Sequence, residues 1–127
     1  MHIDFLEVED VLDVHFDQIQ RYGGDPSIRD YGLLESAVNM PRASFGGQFM
    51  HEFPHEMAAA YMFHLVANHP FVDGNKRTGL GAPLLFLDWH GLQLASSKQE
   101  TGDLVLDVAT GKADKAACVA FFKRFVK

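Results

Sequence analysis

The stretch His69-Pro70-Phe71-Val72-Asp73-Gly74-Asn75-Lys76-Arg77 decides how this chain is read. Helical patterning lies on both sides, so the stretch forms a loop leading into a helix N-terminus. Free backbone N–H groups at such a terminus, together with the helix dipole, favour a bound anion. Lys76 and Arg77 fall in the first turn, where positive charge is unfavourable for the helix itself. They make better sense as anion ligands, and a phosphate chain fits them best. His69 is the candidate general base, since an unperturbed imidazole titrates near neutral pH. Asp73 has two readings, as the first half of an Asp-Gly turn or as a magnesium ligand. Gly74 lets the backbone approach phosphate without a Cβ in the way. Asn75 can orient the loop or donate to a phosphate oxygen, Arg77 offers a planar fork of donors, and Phe71 points into the core. The order Gly-Lys-Thr and the upstream glycine of a Walker A loop are missing.

Outward from the loop the pattern is helical nearly throughout. Val8, Val11, Leu12, His15, Ile19 and Tyr22 recur at helical spacing, and Gly23-Gly24 closes that helix. Asp30 caps a short second helix through Leu33, Leu34, Ala37 and Val38, stopped by Pro41. Arg42 to Phe53 reads as a loop. Pro54 fits the first turn of a third helix with the face Met57, Ala60, Tyr61, His64 and Leu65. A fourth runs from about Asn75 to Trp89 and stops at Gly91. Pro83 should kink or open it, and Gly79 and Gly81 should weaken it. Ser97 and Glu100 form a capping box for a fifth helix carrying Leu104, Val105 and Val108. Asp114 caps a sixth, with Ala117, Ala120, Phe121 and Phe125 inward. Strand content is expected to be negligible, apart from a short extended piece at Leu92 to Leu94. The expectation is an all-α bundle of about six helices, with the decisive loop between the third and fourth.

At 127 residues the chain is expected to form a single domain over 1–127. Its 47% hydrophobic and 22% charged content are those of an ordinary globule. A formal charge of −6 argues against nucleic-acid binding, as no basic stripe occurs beyond Lys123, Arg124 and Lys127. The single Cys118 rules out an internal disulfide and reads as a buried structural thiol. Acidic residues stud Met1 to Asp10, and no apolar stretch is long enough to span a bilayer, so a cytoplasmic, membrane-free protein is expected. His51-Glu52-Phe53-Pro54-His55 matches the zinc-protease pattern His-Glu-x-x-His. That chemistry needs both histidines on one unbroken helix, which Pro54 opposes.

His69, Phe71, Asp73, Gly74, Asn75 and Arg77 resemble, position by position, the Fic/Doc family signature His-x-Phe-x-Asp/Glu-Gly-Asn-x-Arg. The likeness extends to Gln20-Arg21-Tyr22-Gly23-Gly24 and Gly32-Leu33-Leu34-Glu35-Ser36-Ala37, and so covers the whole domain. Members that transfer AMP usually carry glycine where this chain has Lys76 and arginine where it has Leu80. Lysine at the first of these positions marks the Doc (death-on-curing) branch, the toxin half of a toxin–antitoxin pair. The resemblance implies ATP and Mg2+ as cofactors, His69 as the catalytic base and Asp73 as the metal ligand. Gly74, Asn75, Lys76 and Arg77 would then bind the nucleotide phosphates. It also implies transfer of the γ-phosphoryl group to a protein hydroxyl, on a threonine of translation elongation factor Tu, which blocks translation. The implied partner is an antitoxin whose disordered tail folds into a groove on the toxin. Ser96 to Thr101 approaches the family's self-inhibitory Ser/Thr-x-x-x-Glu-Gly/Asn pattern but ends in threonine, and helix capping explains it more simply. Two alternatives stand beside this reading. One is AMP transfer to a protein hydroxyl. The other is a catalytically inactive binding protein of the same fold, suggested by Gly79, Gly81 and Pro83.

Overall fold

The computed structural model describes residues 2–127. Six α-helices follow in order: α1 (Val8–Tyr22), α2 (Tyr31–Asn39), α3 (His55–Asn68), α4 (Asn75–Trp89), α5 (Lys98–Ala109) and α6 (Lys115–Phe125). A 3-10 turn, Met40–Arg42, ends α2, and a small hairpin of β1 (Ser44–Phe45) and β2 (Gln48–Phe49) precedes α3.

The caps are those the side chains dictate. Asp30 accepts from the Leu33 N–H and Asp114 from the Ala117 N–H, while Ser97 and Glu100 complete a reciprocal box. Each such cap contributes about 1 kcal/mol. Helix α1 is opened by Glu7 and Asp10, the Glu7 N–H donating to Asp10 Oδ2 at 2.7 Å. The expected extended piece pairs with the chain end, where Leu94 bridges to Val126.

Helix α3 is the hub. Met57 to Met62, Leu65 and Val66 are all buried, and it packs against α2, α4, α5 and α6. This burial explains the glycines that sequence alone left without a role. A Cβ on Gly79 would overlap Val66 Cγ2 on α3, and one on Gly81 would lie 2.7 Å from Val14 Cγ1 on α1. Both glycines therefore let α4 sit tightly between its neighbours, against the expectation that they only weaken it. Pro83 is buried in the same helix, which runs unbroken from Asn75 to Trp89. Packing by α1 and α3 outweighs the missing N–H.

Two other expectations need correction. The loop reading of Arg42 to Phe53 missed the hairpin, whose turn residues Gly46 and Gly47 have φ of 60° and 81°. That fits a two-residue turn of the primed type. Strands two residues long leave no alternation for a sequence pattern to show. In α6 the inward face is Cys118 and Phe122, while Ala120 is exposed. Ala117, Phe121 and Phe125 are only partly covered, because α6 rests on α3 one residue around from the face predicted. Burial pushes the Cys118 thiol up to about 11, which suits a structural role.

Candidate active site

Pro70 cannot follow a right-handed helical residue comfortably, so α3 ends at Asn68. His69 then turns into the left-handed region, at φ 51° and ψ 54°, a conformation few non-glycine residues adopt. Arg29 holds that turn. Its Nε donates to the His69 carbonyl at 2.7 Å and its Nη2 to the Asn68 carbonyl at 2.9 Å, so a cation sits on the C-terminal carbonyls of α3. The backbone N–H groups of Arg29 and Asp30 both donate to the Pro70 carbonyl, and the Val72 N–H donates to the Ser27 carbonyl. The segment after α1 thus grips the whole first half of the loop.

Phe71 is fully buried, as expected, and worth about 2 kcal/mol of apolar burial. Its ring stacks on His15 of α1, with centroids 3.7 Å apart and planes 7° from parallel. The same imidazole makes a 2.8 Å hydrogen bond through Nε2 to the Asp73 carbonyl. His15 is 3% exposed, so α1 supports the loop apex with a buried polar contact.

Gly74 is the N-cap of α4 at φ 84°, and a Cβ there would lie 3.3 Å from the His15 ring. Its lack of a side chain serves this tight apex as well as any phosphate approach. Gly24, at φ 119°, would place a Cβ 3.1 Å from that of Asp73. The Gly23-Gly24 pair does more than end α1, because it lets the chain pass against the metal-ligand candidate.

Asn75 is 5% exposed, and its amide is engaged through both its oxygen and its nitrogen. Oδ1 accepts from the Phe71 N–H and Nδ2 donates to the Phe71 carbonyl, both at 2.9 Å. Of its two possible roles the side chain takes loop orientation. The backbone N–H of Asn75, in the first turn of α4, stays free of any intrahelical acceptor. No side chain caps α4, so the N–H groups of its first turn face outward without an intrahelical acceptor.

Asp73 is exposed. Its Oδ2 accepts from the Asp25 N–H at 2.8 Å, while Oδ1 has no hydrogen-bond partner among the described residues. Hydrogen bonds from Ser27 hold the Asp25 carboxyl below its usual range. A carboxylate anchored by one oxygen and open at the other fits a magnesium ion that takes its remaining ligands from phosphate and water.

The apex Asp73–Lys76 is a ridge between two depressions. One, of about 510 Å³, lies towards Tyr22, Gly24 and Arg77, and the other, of about 330 Å³, lies towards His69 and α5. Lys76 borders both. Arg77 is exposed, with its guanidinium 4.1 Å from the centre of the Tyr22 ring. The ring fixes the fork by cation–π attraction. Leu80 lies away from the ridge, in a side depression with Leu84, Leu94 and Thr101. His69, Asp73, Gly74, Asn75, Lys76 and Arg77 are thus gathered at one helix start, with His69 on one flank and Arg77 on the other.

Three supports of the loop were missed by reading the sequence: His15, Arg29 and the Asp25 backbone. His15 carried the one usable signal, a polar residue in the middle of an apolar helical face. Elsewhere, α3 begins at His55, so His51 lies outside it and the two histidines of the zinc-like pattern do not share a helix. The Ser96 hydroxyl pairs with Thr101, which also donates to the Ser97 carbonyl. These are contacts of a helix start. No helix is long and apolar enough to cross a membrane among the described residues.

A family model described as the Fic/DOC family matches residues 5–87. Two curated relatives extend the likeness past α4. A protein named Toxin Doc from Mycolicibacterium smegmatis is 39% identical over 113 residues, covering 87% of this chain and 85% of its own. A protein named Protein kinase doc from Escherichia phage P1 is 32% identical over 119 residues, covering 94% and 93% respectively.

Proposed function

The chain belongs to the Fic/Doc family, and from that premise we propose that it is a Doc-like toxin that moves the γ-phosphoryl group of ATP to a protein hydroxyl. The observation that carries the reading is the occupant of the α4 N-terminus. Lys76 lies in the first turn of α4 and borders both depressions, where AMP transfer would need an open nest for two phosphates. The names of the two relatives, one a toxin and one a protein kinase, support the same direction.

In this reading the first-turn N–H groups of α4, Lys76 and Arg77 hold the phosphate chain, and Tyr22 keeps the Arg77 fork in place. Asp73 would hold Mg2+ through its open oxygen. The ion supplies charge neutralisation on the phosphates when bound. An imidazole nitrogen of His69 takes the acceptor hydroxyl proton as that oxygen bonds to the γ-phosphorus. The bond from the γ-phosphorus to the β–γ bridging oxygen breaks, and ADP leaves. Positioning and electrostatic stabilisation provide most of the acceleration in such transfers. The proposed target is a threonine of translation elongation factor Tu, with arrest of translation as the outcome. An antitoxin tail that folds on binding would restrain the enzyme.

The test supplies a bacterial lysate and this protein with ATP labelled at either the α or the γ phosphate. Intact mass of the modified target separates added phosphate from added AMP. Label arriving only from the α position would replace the kinase reading with AMP transfer. No label from either would favour an inactive binding protein.

A further inference from the structure

The two flanks of the ridge differ in chemistry. The Arg77 flank is bordered by Gly23, Gly24, Asp73 and both cations, and His69 does not reach it. The depression of about 330 Å³ beside His69 is lined by the apolar side chains of Val66 and Val72 and by Leu106 and Ala109 of α5. Val72 and Leu106 are 43% and 53% exposed, large apolar side chains left open to water beside the candidate base. The Thr110 hydroxyl, also in the lining, donates to the Leu106 carbonyl at 2.9 Å, so it is already satisfied. The charged side chains that border the depression, Asp73 and Lys76, both come from the ridge, and none comes from α5.

We propose that this His69-side depression is the acceptor subsite, and that it seats an apolar side chain one or two residues from the hydroxyl being modified. The proposal rests on the phosphotransfer reading above. A general base acts within about 3 Å of the proton it takes, so the acceptor hydroxyl has to arrive on the His69 flank. Residues adjacent to that hydroxyl then lie about 4–7 Å away along an extended segment, over Val66, Val72, Leu106 and Ala109. An apolar neighbour covers Leu106 and Val72. A charged neighbour would lose water against these side chains, and the ionic groups at the border, Asp73 and Lys76, are committed to Mg2+ and phosphate in the phosphotransfer reading, which sets the preference.

The experiment uses the full chain, a bacterial lysate and γ-labelled ATP. The labelled protein is identified and its modified residue mapped by mass spectrometry, and that protein is then purified as the substrate. Leu106→Asp puts a carboxylate at the mouth, Ala109→Trp fills the space, and Leu106→Met restores an apolar wall. Leu106 and Ala109 are both exposed, and circular dichroism confirms that each variant folds. Binding of ATP with magnesium is measured on each by calorimetry. Leu106→Asp and Ala109→Trp should lower kcat/KM for the acceptor roughly tenfold or more, mainly by raising KM. Leu106→Met should retain activity near wild type, ATP affinity should hold within about twofold, and the mapped residue should have an apolar neighbour within two positions. Unchanged acceptor kinetics in Leu106→Asp, or a modified residue with only charged neighbours, overturns the subsite. Loss of ATP affinity in parallel with transfer overturns it too, and assigns the depression to the nucleoside. A wild-type protein that transfers nothing removes the phosphotransfer reading itself, a result distinct from any of these.

Discussion

Substituting Gly79 by alanine drives a methyl group into Val66 Cγ2, while the next atoms, the Val66 nitrogen and the Met62 carbonyl oxygen, stand at 3.5 and 3.6 Å. One side chain therefore accounts for the whole conflict. Val66 is 3% exposed on α3, and a β-branched residue in a helix has one strongly preferred rotamer, so it cannot swing aside cheaply. At an exposed helical site the same change would stabilise by about 0.8–1 kcal/mol. Overpacking a tight core costs about 1–3 kcal/mol, so the net expectation is destabilisation of up to roughly 2 kcal/mol. Urea unfolding followed by circular dichroism measures it, and a thermal scan should show Tm lower by up to roughly 10 °C. Val66→Ala alone should cost about 2 kcal/mol through lost burial and the space left behind. When the two substitutions are combined, the methyl introduced on α4 enters that space, and the double variant should be about 1 kcal/mol or more better than the sum of its parts. A Gly79→Ala protein more stable than wild type, or strict additivity with Val66→Ala, would refute the claim that this glycine exists for helix contact.

Further outcomes test the site and the core. His69→Ala should lower transfer by about 10²–10⁴-fold and relieve growth arrest with an unchanged circular dichroism spectrum, because the residue is exposed and its ring bears no contact the fold needs. Arrest at wild-type strength would remove His69 as the base. Asp73→Asn keeps an oxygen for the Asp25 N–H but loses the metal-binding charge, so activity should require far more magnesium. A magnesium titration identical to wild type would leave Asp73 as a turn residue. Burial, with the charges of Lys115 and His51 nearby, holds the His64 imidazole down to about 4. It is neutral in the folded chain at neutral pH and ordinary, near 6.5, in the unfolded one. Its contribution is thus fully present above that ordinary value and is lost as pH falls towards about 4. Urea midpoints over that range should fall more steeply for wild type than for His64→Phe, and parallel curves would contradict the assignment.

The sequence by itself determined the helices, the caps of α2, α5 and α6 and the identity of the loop. Periodicity, cap residues and Gly or Pro stops act over a few neighbouring positions, and Asp30, Ser97, Glu100 and Asp114 all cap as their spacing requires. The family signature likewise lies within one short stretch. Tertiary structure alone decided what depends on residues far apart in the chain. Arg29 reaches His69 across 40 positions and His15 reaches Asp73 across 58, with no local pattern to announce either contact. Gly79 and Gly81 look like helix breakers in a one-dimensional pattern and become close-packing positions once α3 and α1 lie against them. Asn75 could serve phosphate or loop on sequence grounds, and only the fold brings both Phe71 backbone groups within reach of its amide. Local propensity is additive along the chain, whereas the loop's conformation comes from buried contacts that exist only when α1, α3 and α4 have assembled.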